Sequence, residues 1–194
     1  MIQRQAFKFK LKTSDKDVDA SCRLFSGHRR FVYNYFVEMN KHRLNNGWKI
    51  LWYAEMEFWL AKILMKSEEY IWLKDAPKAV LQQSLRDLDK AYKGAFDKKQ
   101  ALKKLPTRKK RTVSNTFRYP QINQKDKKTG AIVSSNLKVD NRRVFLPKIG
   151  WVGFHKSRRI EGDIKNITVS KEAGKWFVSI QTERKVVEPI HPST

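Results

Sequence analysis

The order of the hydrophobic periodicities constrains the fold of this chain more than any other feature. Residues 6–12 alternate strictly, with Phe7, Phe9 and Leu11 on one face and lysines on the other, which predicts a half-buried strand. The following eighty or so residues carry apolar side chains at helical spacing instead. The chain is therefore expected to begin with one strand and to continue into a bundle of helices.

Three helices are predicted in this bundle. The first begins after an N-cap at residues 13–15 and ends near residue 44, before Asn45-Asn46-Gly47. The second covers about 53–66 and the third runs from about 78 past 96, with a connector at 67–77.

Short extended segments separated by Gly or Pro return after Pro106. The first strand is expected to join these later strands in a small barrel, which makes the predicted fold class α+β. The candidate strands are 115–121, 144–146, 151–154, 164–169 and 176–182, with a polar turn at 125–130.

The charge of the chain indicates the chemistry of its partner. Lys and Arg number 42 against 19 Asp and Glu, a formal net charge of +23. Ordinary soluble domains rarely exceed a net charge of about 8. Between Lys98 and Arg111 the sequence contains several Lys and Arg and no acid. Because phosphate backbones are the commonest partners of such a field, the composition predicts nucleic-acid binding.

Other functional classes lack their sequence signals. No apolar stretch approaches the length of a membrane span, and the first residues lack the apolar region of a signal peptide. The single cysteine, Cys22, favours a reducing compartment, so a cytosolic setting is expected.

No catalytic centre and no metal site are expected within this sequence. Its four histidines are scattered, and it has no HExxH, P-loop, GxGxxG or GxSxG element. Asp87 and Asp89 lie beside Arg86 and Lys90 on a predicted helix, which favours surface ion pairs over a nuclease site.

One helical face carries side chains suited to reading bases. Lys78, Gln82 and Arg86 are spaced by four residues and share a face of the third helix. Lys can donate to guanine O6 and N7, and Gln can pair with adenine N6 and N7 in a major groove. The alternative is an ordinary solvated helix face.

Four segments together resemble one family, the TnpB proteins, which are transposon-encoded RNA-guided DNA nucleases related to compact type V CRISPR effectors. The resemblance spans nearly the whole sequence, and its motifs occur in the family's order. They are Ser26-Gly-His-Arg-Arg-Phe-Val-Tyr-Asn-Tyr-Phe36, the pair Trp72-Leu-Lys and 78–93, the basic run 106–111 with Phe117-Arg-Tyr-Pro-Gln121, and Leu146-Pro-Lys-Ile-Gly-Trp-Val152.

The resemblance implies a wedge domain, an oligonucleotide-binding-type β-barrel, interrupted by a helical recognition domain. Residues 1–12 would form the first wedge strand, 13–108 the recognition domain, 109–186 the rest of the wedge, and 187–194 a linker toward a RuvC-like nuclease domain. The family's catalytic Asp motif and four-cysteine zinc ribbon are missing from this sequence. No cofactor is therefore expected in this chain, and Mg²⁺ only with the absent RuvC-like domain.

The resemblance also implies that both domains clamp a structured guide RNA and its heteroduplex with target DNA, and read a short motif in the DNA beside the target. Residues that align with motif-facing positions are Tyr53, Lys78, Gln82, Pro120 and Gln121, although Trp52 offers a competing register for Tyr53. Candidates for contacts to nucleic-acid backbones are Lys8, Lys10, Arg29, Arg30, Arg86, Lys103, Lys104, Arg108, Lys109, Lys110, Arg111, Arg118, Lys156, Arg158 and Arg159.

The predicted function is thus the guide-RNA- and target-DNA-binding half of a TnpB-like endonuclease in a prokaryotic cytoplasm, associated with the nucleoid. One alternative is a nuclease-lacking RNA-guided DNA-binding repressor. Another is a basic RNA-binding protein without sequence preference. The intact nuclease would cleave only with a catalytic half supplied outside this sequence.

Overall fold

The computed structural model describes residues 1–13, 16–97, 99, 104–112, 115–125 and 132–186. Over these residues the chain is an α+β protein with two compact units. The helical unit is Ala20–Phe117, and the β unit combines the described residues of Met1–Asp19 and Arg118–Thr194. The domain boundaries expected from the sequence remain predictions.

The three predicted helices are present. They are α1 (Lys16–Asn45), α2 (Tyr53–Lys62) and α3 (Lys78–Phe96). The second helix is shorter than predicted, because its α-helical part ends at Lys62 and a short 3₁₀ helix, Leu64–Lys66, follows. Most of the predicted connector is also a 3₁₀ helix, Glu68–Asp75, which buries Leu73 completely. Two of the predicted N-cap residues, 14 and 15, lie outside the described residues.

The helical unit is held by one apolar core and one buried amide. Val32, Phe36 and Leu85 are fully buried where the helices meet. Asn40 on α1 is also fully buried, and its side chain bonds both backbone groups of Leu51: the amide donates to the carbonyl at 3.0 Å and its oxygen accepts from the N–H at 2.7 Å. This pair fixes the chain just before α2 begins.

The β unit contains three antiparallel sheets. The first has the strand order β1-β9-β8-β2, the second pairs β3 with β4, and the third has the order β5-β6-β7. The strands are β1 (Ile2–Lys10), β2 (Thr116–Pro120), β3 (Asn123–Lys125), β4 (Ile132–Ser135), β5 (Lys138–Asp140), β6 (Arg143–Leu146), β7 (Gly150–Gly153), β8 (Asp163–Glu172) and β9 (Lys175–Lys185).

The first strand joins the last, as the sequence predicts. In the β1–β9 register Phe7 lies opposite Ile180 and Phe9 opposite Val178, and these side chains enter the core. The described strands do not close into a barrel: they form three separate sheets, and the bridge between Leu11 and Phe154 lies outside the named strands. The predicted barrel is therefore not confirmed.

Five of the predicted strands after Pro106 are confirmed with longer or shifted ends, and three short strands, β3, β4 and β5, were not predicted. Their sequences are too short and too polar to show a periodicity. Most of the polar turn predicted at 125–130 lies outside the described residues. None of the helices within the described ranges is long and apolar enough to cross a membrane.

We expect Asn40→Ala to destabilise the helical unit by about 2–4 kcal/mol, because it leaves a buried N–H and a buried carbonyl of Leu51 without partners. Urea unfolding followed by circular dichroism measures the loss. Asn45→Ala is the matched control, since it removes an exposed amide from the last residue of α1 and should cost under about 0.5 kcal/mol. Equal urea midpoints for the two variants would contradict the stabilising role of the Asn40 side chain.

Candidate nucleic-acid interface

The predicted base-reading side chains share one face of the α2–α3 pair. We call Tyr53, Glu57, Lys78, Gln82 and Arg86 the polar row. Tyr53 and Glu57 are one turn apart on α2, and the other three follow at four-residue steps on α3. The structure thus brings Tyr53 together with the predicted residues of α3, although they are distant in sequence.

Glu57 connects the two predicted base readers. Its Oε1 atom accepts from the ammonium group of Lys78 at 3.0 Å and from the side-chain amide of Gln82 at 3.0 Å. These two hydrogen bonds, that from Lys78 first, lower the pKa of Glu57. The carboxylate is therefore ionised at neutral pH and holds both donors in one place before any ligand arrives.

Arg86 and Tyr53 form the other end of the polar row. The guanidinium carbon of Arg86 lies 4.4 Å from the centre of the Tyr53 ring, a cation–π distance. The backbone N–H of Tyr53 donates to Asp89 at 3.1 Å, and Lys93 pairs with the same carboxylate at 2.7 Å. Asp89 is itself buried, so the start of α2 is fixed against α3.

Trp52 and Tyr53, the two candidates for the motif-facing position at the start of α2, have different surroundings. The ring of Trp52 lies beside other residues. Its centre is 6.3 Å from the centre of the Phe96 ring and 6.0 Å from the ammonium nitrogen of Lys93. Tyr53 is the residue beside Arg86. Sequence reasoning missed Glu57, although its i+4 spacing from Tyr53 is visible in the sequence.

The basic run between α3 and β2 is attached to α1 over part of its length. We call the described residues 104–112 the strap. The side chain of Asn34 bonds both backbone groups of Lys109, donating to its carbonyl at 3.1 Å and accepting from its N–H at 2.8 Å. The Lys109 ammonium lies 3.8 Å from the centre of the Tyr33 ring. The strap is therefore positioned by specific contacts.

The lysines and arginines of the strap have unequal surroundings. Lys109 is half-buried, whereas Lys104, Arg108, Lys110 and Arg111 are exposed. Arg108 approaches Glu38 at 3.8 Å, a weak surface pair. Lys103, another predicted backbone contact, lies outside the described residues.

Arg30 adds to the positive field near the strap. Its guanidinium donates to the side-chain oxygen of Asn115 at 3.4 Å. Partial burial, and to a smaller extent repulsion from Arg111, lowers the pKa of Arg30. This repulsion indicates that Arg30 and Arg111 are neighbours, and a concentration of cations suits a polyanion.

Arg29 has a structural position. Its side chain is only 8 % exposed, and its guanidinium pairs with Asp87 at 3.0 Å. It also donates to the carbonyl of Thr116 at 3.4 Å. This burial counts against the predicted contact of Arg29 with a nucleic-acid backbone. Asp87 forms an ion pair with Arg29 and Asp89 with Lys93, but Asp89 is buried, whereas the sequence predicted surface ion pairs.

The remaining predicted residues lie in the β unit. Pro120 ends β2, and the backbone N–H of Gln121 donates to the carbonyl of Lys165 at 2.9 Å. The Gln121 amide also donates to Asn123 at 2.9 Å and to the hydroxyl of Ser135. These internal bonds fix the side chain.

The cations predicted in the β unit differ in their engagement. Lys8 pairs with Glu172 at 2.6 Å, and Arg158 lies 5.6 Å from the centre of the Phe7 ring. Lys10, Arg158 and Arg159 are exposed, while Arg118 and Lys156 are half-buried. Within the described part of the chain, no group of three or more His, Cys, Asp or Glu side chains could hold a metal ion.

Two comparisons with known proteins bear on this arrangement. Residues 1–49 match a family model described as a helix-turn-helix domain. The described residues of that range form one strand, β1, and the continuous helix α1, followed by the start of the next loop. The matched segment is therefore not two helices joined by a turn in this protein.

The second comparison covers the whole chain. It is 40% identical over 193 residues to a protein of Escherichia coli (strain K12) named putative RNA-guided DNA endonuclease InsQ. The match includes 100% of this chain and 44% of that relative. The chain thus spans less than half the length of the relative.

We expect Asn34→Ala to release the strap. Each of the two hydrogen bonds that it removes contributes about 1 kcal/mol, so the population of the detached strap should rise about 10- to 30-fold. Trypsin cleavage within the strap, followed by mass spectrometry under conditions of fast reclosure, should accelerate by the same factor. Asn45→Ala on the same helix is the control. If Asn34→Ala is cleaved no faster than the unaltered chain, Asn34 does not hold the strap on α1.

Proposed function

We propose that this chain, which belongs to the TnpB family of transposon-encoded proteins, is the part that binds guide RNA and target DNA in an RNA-guided DNA endonuclease. The observation that carries the proposal is the polar row, in which Glu57 holds Lys78 and Gln82 side by side. Family membership rests on the 40% identity over the full chain.

The two units correspond in this proposal to the wedge and recognition domains expected from the sequence. The β unit would be the wedge, since it takes its strands from both sides of the helical unit in the sequence. The helical unit would be the recognition domain. The pairing of β1 with β9 supports this assignment, because it makes the helices an insertion between strands of one sheet.

The polar row would read the edges of base pairs in the DNA motif beside the target. Lys78 supplies an ammonium donor, and the amide of Gln82 can both donate and accept, which matches guanine and adenine in the major groove. Because Glu57 already holds these groups, less side-chain freedom is lost on binding. The same carboxylate repels phosphates, which disfavours docking of the row on a DNA backbone.

The strap would bind phosphates without reading sequence. Its exposed cations, Lys104, Arg108, Lys110 and Arg111, are presented by a backbone that Asn34 fixes to α1. Contacts of this kind position a duplex and supply affinity that falls with salt. Sequence along the target would be read by pairing with the guide RNA and not by side chains.

The exposed cations of the β unit, Lys10, Arg158 and Arg159, would bind RNA phosphates in the same manner. In this proposal, the cleavage activity named for the relative is assigned to residues outside this chain. The intact protein would act on nucleic acid in the cytoplasm, where both its RNA and the nucleoid are found.

We expect Lys78→Ala and Gln82→Ala each to weaken binding to the preferred DNA motif by about 1–3 kcal/mol, because each removes a base-edge contact. Binding is measured with the chain assembled on the RNA that copurifies with it. The DNA is a guide-matched duplex whose flanking motif has been selected from a randomised library.

Two residues of α3 serve as matched controls for this experiment. Lys90→Ala and Gln83→Ala make the same chemical changes outside the polar row and should leave discrimination between preferred and scrambled motifs unchanged. Equal losses on preferred and scrambled motifs for Lys78→Ala and Gln82→Ala would contradict base reading. Absence of any motif preference in the unaltered complex would favour a basic RNA-binding protein without sequence preference.

The strap gives a separate prediction about salt. Replacing Lys110 and Arg111 by Gln should reduce the slope of log affinity against log salt by about 0.7–0.9 for each phosphate that the variant no longer neutralises. Lys109→Gln should change the slope less, because its ammonium lies over Tyr33. Affinities measured across a salt series test both expected slopes. If every variant has the slope of the unaltered chain, the strap is not part of the binding surface.

A further inference from the structure

The outer face of the β5–β7 sheet combines aromatic rings and cations that the proposed function leaves unused. One face of this sheet enters the core through Val144, Leu146 and Val152, which are all buried. The strand alternation places Phe145 and Trp151 on the opposite face, where they are cross-strand partners. Trp151 is 45% exposed, which is high for the largest apolar side chain.

The two aromatic rings form one surface. Their centres are 5.6 Å apart, with the ring planes at 64°, an edge-to-face arrangement. The guanidinium carbon of Arg143 lies 5.5 Å from the centre of the Trp151 ring. The indole thus contacts two neighbours and is still 45% exposed to solvent.

Cations flank the aromatic pair on two sides. Lys138 is the cross-strand partner of Phe145 and is exposed. Gly153, opposite Arg143 on the same face, has no side chain, and the Lys12 stem lies over it: a Cβ at Gly153 would be only 3.2 Å from Lys12 Cδ. Asp140, the acid on this face, is paired with Arg143 at 2.9 Å. We call Lys12, Lys138, Arg143, Phe145 and Trp151 the aromatic platform.

This combination selects one class of partner over another. The centres of protein–protein interfaces are depleted in lysine, whereas residues 138–153 alone contain four Lys and Arg and one acid. Exposed aromatic rings beside cations are the feature by which proteins stack unpaired bases and contact the adjoining phosphates. A base inside a duplex has both faces covered by its neighbours and offers no face for an indole.

We propose that the aromatic platform binds an unpaired nucleotide, with the base stacked on Trp151 and the flanking phosphates held by Lys12 and Lys138. Arg143 and Phe145 hold the indole in place. The site rests on the proposed function, because it takes nucleic acid as the partner, but it is separate from the polar row and needs no DNA motif. It would hold a single-stranded element of the bound RNA or an unwound stretch of DNA.

The test compares single-stranded and duplex probes. Affinities of the purified chain are measured by fluorescence anisotropy for a 12-nucleotide oligouridylate, the matching DNA oligothymidylate, and a blunt RNA duplex of equal length. We expect Trp151→Ala to weaken single-strand binding about tenfold and to leave duplex binding within about twofold, since the variant cannot stack a base but keeps the cations that bind phosphate. The single strand that binds more tightly, RNA or DNA, identifies the source of the nucleotide.

Two further variants separate stacking from structure. Trp151→Phe keeps an aromatic plane and should restore most of the affinity that Trp151→Ala removes. Trp48→Ala removes another exposed indole, 55% exposed with Arg43 at 5.9 Å from its centre, and should change neither affinity. Matching urea midpoints for the unaltered chain and Trp151→Ala show that both are folded.

Photocrosslinking locates the contact directly. An oligouridylate carrying one 5-iodouridine should crosslink to the peptide that contains Trp151. Crosslinks confined to other peptides, or equal losses on single-stranded and duplex probes, would overturn the platform. Neither result touches the proposed function, which fails separately if Lys78→Ala and Gln82→Ala leave motif discrimination intact.

Discussion

The antiparallel pairing of β1 with β9 is the constraint on which the rest of this structure depends. It joins residues 2–10 to residues 175–185, so that the ends of the described chain share one sheet. Phe7 and Phe9 enter the core from this strand. Because β1 pairs with a strand so distant in sequence, the helices between the two strands are an insertion. Each unit can therefore have its own core.

The formal charge of the chain overstates the charge that is available for binding. The net charge of +23 predicts a polyanionic partner, and the family relationship agrees with it. Yet Arg29 is buried against Asp87, and Lys109 lies over Tyr33. Such cations hold the helical unit and the strap in shape. The exposed ones, such as Lys110 and Arg111, are those that remain for phosphates.

Local patterns in the sequence were sufficient for the main elements. Alternation at 6–12 predicted β1, and helical spacing predicted α1 and α3, because these periodicities depend only on neighbouring residues. The 3₁₀ helix at Glu68–Asp75 was missed, since its i+3 spacing is too short to stand out from a loop. The strands β3–β5 were missed because they are both short and mostly polar, whereas β6 and β7, which are similarly short, carry apolar side chains beside Gly or Pro. Local patterns say even less about the candidate sites, because these depend on tertiary contacts. Glu57 holds Lys78 and Gln82 only because α2 packs against α3. The exposure of Trp151 follows from the pairing of β6 with β7.

Recognition of one particular guide RNA by this chain is tested by purifying the chain from its host and sequencing the RNA bound to it. We expect one structured RNA species with a constant scaffold and a variable segment at one end. A mixture of unrelated cellular RNAs in proportion to their abundance would contradict it, because a surface that binds only through charge cannot select a single RNA.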